Sequence, residues 1–156
     1  MSETTATETT ATETTDTETA AGKTQNDGPA PRVLTDQELS QLLRQGQFGV
    51  LASVRSTGHP HLSTVLYDWD AEDRVLRISS TANRLKVRQL RRDPHASLHV
   101  NGPDIWSFAV AEGEAEIVDP ADGTAPGAHP LPDRRVTILL RVSRLYGTAL
   151  DIPAQD

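Results

Sequence analysis

The chain has no cysteine. That excludes a disulfide framework, thiolate zinc sites and thiol catalysis, and it fits a reducing cytosol. Aromatic residues are scarce at 4%. Tyr67, Trp69, Trp106 and Phe108 are most of them and read as core or interface; Trp106 stands apart because it follows a turn. No apolar run approaches the roughly 20 residues that span a bilayer, and the first residues lack the apolar core of a secretory signal. A cytoplasmic protein without a membrane partner is expected. There is no G-x-S-x-G, Walker loop or G-x-G-x-x-G, so hydrolase, nucleotide-kinase and Rossmann chemistries lack a foothold.

Charge divides the chain. Residues 1–32 hold six acids and two bases, the other 124 residues sixteen acids and thirteen bases, giving the net −7. The larger part is only mildly acidic, which argues against nucleic acid as a partner. Residues 1–32 repeat Thr and Glu with almost no large apolar side chain. Such a stretch cannot bury enough surface to offset about 1–2 kcal/mol of backbone entropy per residue. A disordered tail over 1–32, one domain over 33–150 and a short tail over 151–156 are expected.

The domain reads as mainly β with short helices. Thr35 and Glu38 have capping-box spacing, Leu39, Leu42 and Leu43 share a helical face, and Gly46 is a stop. Strands are expected over 48–54, 59–69, 74–80, 96–100, 105–118 (bent at Gly113) and 135–145. A second helix is expected over 83–92, stopped by Asp93-Pro94 and packed through Leu85 and Leu90, with the Val87 or Lys86 stem beside them. Residues 119–133 are rich in Pro and Gly and read as a loop. Six strands with two short helices describe a small barrel better than an open sheet, since closure removes exposed edges.

Chemistry concentrates at Ser79-Ser80-Thr81-Ala82-Asn83-Arg84-Leu85-Lys86-Val87-Arg88. A strand ends in hydroxyls, and a helix begins with cations in and beyond its first turn. Helix N-termini favour anions, and Ser, Thr, Arg and Lys add donors and charge. Phosphate binding is the chemistry this suits. The same bases, with Arg91 and Arg92, also read as the solvated face of a surface helix, and five bases without an acid permit a nucleic-acid patch. His59 and His61 flank Pro60 and share a strand face, but two imidazoles without a third ligand do not make a zinc site.

Phe48-Gly49-Val50-Leu51-Ala52-Ser53-Val54-Arg55 with Gly58-His59-Pro60-His61-Leu62-Ser63, then Ile78-Ser79-Ser80 through Arg84 to Pro94, then Gly113-Glu114-Ala115, form an ordered set. It resembles the pyridoxamine 5′-phosphate oxidase-like split barrels, most of all their deazaflavin-dependent actinobacterial branch, over residues 34–146. The resemblance implies a six-stranded split barrel that forms a homodimer, with cofactor in a groove at the subunit interface. It implies phosphate near Ser79, Ser80, Arg84 and Lys86, and a ring system along Ser63, Thr64 and Val65. Arg88 would meet the acidic tail of coenzyme F420, which FMN lacks. The activity implied is F420-dependent hydride transfer to an unsaturated organic substrate. The alternatives are an FMN-dependent oxidoreductase of the same fold and a non-catalytic flavin or deazaflavin carrier or interaction protein. The cofactor carries the hydride in such chemistry, so no catalytic side chain is named.

Overall fold

The Thr35 hydroxyl accepts from the Glu38 N–H, and the Glu38 carboxylate accepts from the Thr35 N–H at 2.8 Å. The expected capping box therefore opens helix α1 (Asp36–Gln45), and Gly46 closes it. A computed structural model describes residues 28–120 and 134–152. Most of the expected N-terminal tail, most of the Pro/Gly loop and the last four residues lie outside the described residues.

The remaining elements follow in chain order. Strand β1 is Arg32–Val33; after α1 come β2 (Phe48–Val54), β3 (Pro60–Leu66), β4 (Asp68–Asp70) and β5 (Val75–Thr81). Helix α2 (Leu85–Arg92) leads to β6 (His95–Asn101), β7 (Phe108–Val118), β8 (Arg135–Tyr146) and β9 (Thr148–Ala149). One antiparallel sheet has the order β3-β2-β6-β7-β8-β5-β4, and β1 pairs with β9 beside it. The main sheet thus has seven strands, not the expected six.

The extra strand comes from a change of partner. The stretch 59–69 alternates without a break, yet β3 pairs with β2 while β4 pairs with β5. Tyr67 alone separates them, so one residue joins the two outermost strands and the sheet must curl back on itself. From Ile78 to Thr81, β5 no longer has β4 beside it. There the curled sheet stays open, as a split barrel requires.

Two aromatics fasten this junction to α1. The Tyr67 hydroxyl donates to the Leu43 carbonyl at 2.7 Å, and the Trp69 indole N–H donates to Ser40 Oγ at 2.8 Å. Leu43 belongs to the last turn of α1, where carbonyls have no helical partner, so the phenol satisfies a buried orphan. Burial pushes the Tyr67 phenol up from 10.0 to about 12. The neutral phenol is the form the fold prefers. Its contribution is present in full below pH 10 and is lost as pH rises towards about 12. Tyr67→Phe is expected to lower stability by about 1–3 kcal/mol, the range for a buried partner left unsatisfied. It should also flatten the fall of the urea midpoint above pH 10; an unchanged alkaline slope would remove Tyr67 as its source.

The core lies inside the curl. Leu51, Val65, Leu76, Ile78, Leu98, Val100, Ile138 and Leu140 point inward from alternate positions of their strands. Leu39 and Leu43 of α1 close one side, and Val87 and Leu90 of α2 are buried in the same cluster. Leu85, expected to pack, is 41% exposed, while Val87, expected beside it, is buried with Leu90.

Two further boundaries moved. Ile105 and Trp106 form a turn before β7, in which Asp104 Oδ1 accepts the Trp106 N–H at 2.8 Å, and both side chains are exposed. The bend expected at Gly113 is a bulge: Glu112 faces Arg144 and Gly113 faces Val142, so Ser143 of β8 has no opposite number.

Candidate functional site

The predicted residues lie on three elements: Ser63, Thr64 and Val65 on β3, Ser79 and Ser80 near the end of β5, and Arg84, Lys86 and Arg88 at the start of α2. On β3, Ser63 and Val65 face inward, whereas Thr64 is exposed on the outer face. The structure therefore divides that trio: a ring lying along β3 could meet the side chains of one face only, and the other through backbone groups. Ser63 Oγ is buried without a hydrogen-bond partner among the described residues. An unsatisfied buried hydroxyl costs about 1–3 kcal/mol, and here it borders the open seam.

Ser79 and Ser80 are divided in the same way. Ser80 is 5% exposed and points into the core, while Ser79 points outward and accepts from Arg135 Nη1 at 3.3 Å. Arg135, at the start of β8, pairs across from Thr81 and adds a cation that was not singled out in the sequence. It lay beyond a low-complexity loop, and only the β5–β8 register brings it here.

Arg84 is the N-cap of α2, and no side chain caps that end. The first turn holds no acid. Lys86 is partly buried, and burial, followed by the neighbouring Arg84 charge, pulls its ammonium below the ordinary lysine value. Among the described residues neither Arg84, Lys86 nor Arg88 has a carboxylate partner within salt-bridge distance. Two adjacent cations, one of them desolvated, at a helix end that itself favours negative charge make an arrangement that an anion would relieve.

The other end of α2 behaves differently. Arg91 and Arg134 both pair with Asp119, whose carboxyl they hold below its usual range, Arg134 foremost. Arg92 Nη2 donates to the Val54 carbonyl at 2.6 Å. These two bases serve the scaffold; those at the first turn have no such partner among the described residues.

No group of three or more histidines and acids that could hold a metal ion occurs among the described residues. His61 instead contacts Gln89 of α2, and His99 stacks on Phe108 with ring centroids 5.3 Å apart. No helix among the described residues is long and apolar enough to cross a membrane.

The sheet's outer face carries two depressions. One of about 650 Å³ runs over Ala52, Val54, His95, Ser97, Glu112 and Arg141. Another of about 430 Å³ lies over Phe48, Val50, Thr64 and His99. Of the predicted residues only Thr64 lines either one. Phe48, Leu62 and Leu66 are 63%, 63% and 72% exposed on this same face. The cation pair and the wide concavities thus lie in different places on a single chain.

A family model described as pyridoxamine 5′-phosphate oxidase matches residues 35–148. The chain belongs to this family. Solved structures place it among diverse relatives of the pyridoxamine 5′-phosphate oxidase fold. An F420 reductase is 29% identical, with 68% of this chain and 94% of that one covered and a TM-score of 0.56. A FAD-binding protein from Mesorhizobium loti is 22% identical over 76% of this chain and 96% of its own, at a TM-score of 0.60. An FMN-binding relative from Nostoc punctiforme is 14% identical over 69% and 76%, at 0.52. The last two speak for the fold. The matched stretch includes the β5–α2 junction from Ser79 to Arg92, whose first turn has no acidic partner among the described residues.

Proposed function

We propose that the chain is an oxidoreductase that binds coenzyme F420 and transfers hydride between it and an unsaturated small organic substrate. The observation that carries this reading is the Arg84–Lys86 pair at the first turn of α2, partly desolvated and without an acidic partner among the described residues. The similarity to an F420 reductase at 29% identity supports the choice of cofactor.

The residues present fit such a group. Arg84 and Lys86 hold its phosphate, with Ser79 held nearby by Arg135. Ser63 offers its unpartnered hydroxyl, and Thr64 and Val65 offer backbone groups along β3. Arg88, exposed one helical turn beyond Arg84, meets the carboxylates that F420 carries and FMN lacks. Bound F420 supplies the hydride; the protein's part is to orient it and to exclude water. Domain limits of 33–150 with flanking tails, and a cytoplasmic location, belong to the same reading.

A homodimer completes it. The outer face exposes Phe48, Leu62 and Leu66 beside two depressions, and a second copy would cover them and wall the groove. Light scattering at micromolar concentration should give twice the chain mass. A monomer that binds no cofactor would overturn both statements. Titration of the purified protein with F420 and with FMN, followed by absorbance, tests the cofactor. Tighter binding of F420, weakened more by Arg88→Ala than FMN binding is, supports the reading. Preference for FMN, with Arg88→Ala indifferent, would replace it with an FMN oxidoreductase. Binding of either cofactor without turnover would indicate a carrier.

A further inference from the structure

Gln89 sits on the inner face of α2 with 4% of its surface exposed. Ser53 of β2, 1% exposed, donates its hydroxyl to Gln89 Oε1 at 2.7 Å. The same oxygen lies 2.9 Å from Nδ1 of His61. A carboxamide oxygen has no hydrogen to give, so Nδ1 is the donor. In the neutral ring this contact selects the tautomer with hydrogen on Nδ1, which leaves the lone pair on Nε2. His61 is only partly buried, and its Nε2 has no hydrogen-bond partner among the described residues.

Apolar residues at both 53 and 89 would fill the gap between helix and sheet with no polar group to satisfy, whereas an apolar residue at 89 alone would strand the Ser53 hydroxyl. A buried polar chain is stabilising only when every member is paired, so this one is a demanding way to pack a helix. What it achieves is a fixed ring orientation. The neighbours show where that ring stands. Lys86 precedes Gln89 by three residues and lies one turn along the same side of α2. Ser63 follows His61 by two residues on the same face of β3, with its buried hydroxyl unpartnered.

We propose that Ser53 and Gln89 are positioning residues for His61, and that His61 Nε2 accepts a hydrogen bond from a hydroxyl or ring N–H of the bound cofactor. The second half rests on the split being the cofactor groove. It gives the groove an acceptor of fixed direction, on the strand that carries the unpartnered Ser63 hydroxyl and against the helix that carries the phosphate cations.

The test uses the full chain labelled with nitrogen-15, with histidine ring nitrogens read by long-range proton–nitrogen correlation. Without ligand, His61 should show the Nδ1–H tautomer, and Gln89→Leu should release that bias. An Nε2–H tautomer in the unaltered protein would overturn the positioning role. With FMN or F420 added, the His61 Nε2 resonance should move. His61→Asn keeps a donor near the Nδ1 position and discards Nε2. It should retain the melting temperature and lose roughly two- to tenfold in affinity, the span for one neutral hydrogen bond. His61→Gln, which keeps a group near Nε2 and gives up the Nδ1 contact, should retain more affinity and melt lower. Cofactor that binds without moving Nε2, and equally well to His61→Asn, would overturn the ligand contact. Failure of both cofactors to bind the unaltered protein would remove the cofactor reading and the contact with it, while the tautomer is decided on ligand-free protein.

Discussion

Lys86→Ala is expected to weaken binding of F420 and FMN alike by tenfold or more, because both present a phosphate. A hydrogen bond involving a charged group contributes about 1.5–3 kcal/mol, and every 1.4 kcal/mol or so is a factor of ten. Lys86 is already partly stripped of water and sits against Arg84, so the free protein bears a repulsion that phosphate removes. Arg91→Ala is the contrast. Its guanidinium pairs with Asp119 at the far end of the helix, about 10 Å from the first turn at ~1.5 Å per residue. It should leave affinity nearly unchanged. The ligand-free melting temperature of Lys86→Ala should match that of the unaltered protein or exceed it slightly, since one of two like charges is gone. Equal, small losses for Lys86→Ala, Arg88→Ala and Arg91→Ala would show a diffuse basic surface in place of a phosphate site.

Gly113→Ala should have the largest effect on folding. A Cβ at this position would run into the backbone carbonyl of Arg141 and lie 3.1 Å from the Val142 Cα. Neither can retreat, because Gly113 and Glu114 are laddered to Val142 and Arg141. Overpacking typically costs about 1–3 kcal/mol, more where backbone must yield, so a loss of at least about 3 kcal/mol is expected. That corresponds to a fall of roughly 10 °C in melting temperature for a domain of this size. Gly58→Ala provides the scale. Gly58 has open space around it but a φ of +88°, a left-handed conformation that costs a residue with a Cβ about 1–2 kcal/mol. If Gly113→Ala proved the milder of the two, the close approach at the bulge would not be what demands glycine there. The Gly113-Glu114-Ala115 signature is then a device of packing. Its Ala115 is 8% exposed and donates its N–H to the Pro94 carbonyl at 2.7 Å, tying the strand to the end of α2.

Local signals survived the passage from sequence to structure where a few adjacent residues decide the outcome. The Thr35–Glu38 box and the Asp93-Pro94 stop are of that kind, as are the strands whose inner faces alternate from Leu51, Leu98 and Ile138. The division at Tyr67 left no local trace: the period-2 pattern runs through it, because the chain keeps its extended conformation and changes only its neighbours. Trp106 misled for the opposite reason. Its residue type favours strands, while the Asp104 side chain bends the backbone into a turn. The basic first turn of α2 was legible as charge, but the pairing that separates Arg91 from Lys86 depends on Asp119, which the fold brings in from the end of β7. His61 drew notice as a possible ligand for metal; its actual partner, Gln89, is an unremarkable residue in a run of cations, and only the packing of α2 on β2 reveals it.

The short β1–β9 ladder sets Arg32 opposite Ala149 and Val33 opposite Thr148, with Arg32 also bridging Glu38 and Asp151. The two ends of the folded unit therefore leave it side by side. A peptide of a few residues could join them, and the chain could be reopened at the exposed Ser56–Gly58 turn between β2 and β3 without cutting a ladder. The order of the strands along the polypeptide is in that sense arbitrary, and what the fold preserves is which strands are neighbours.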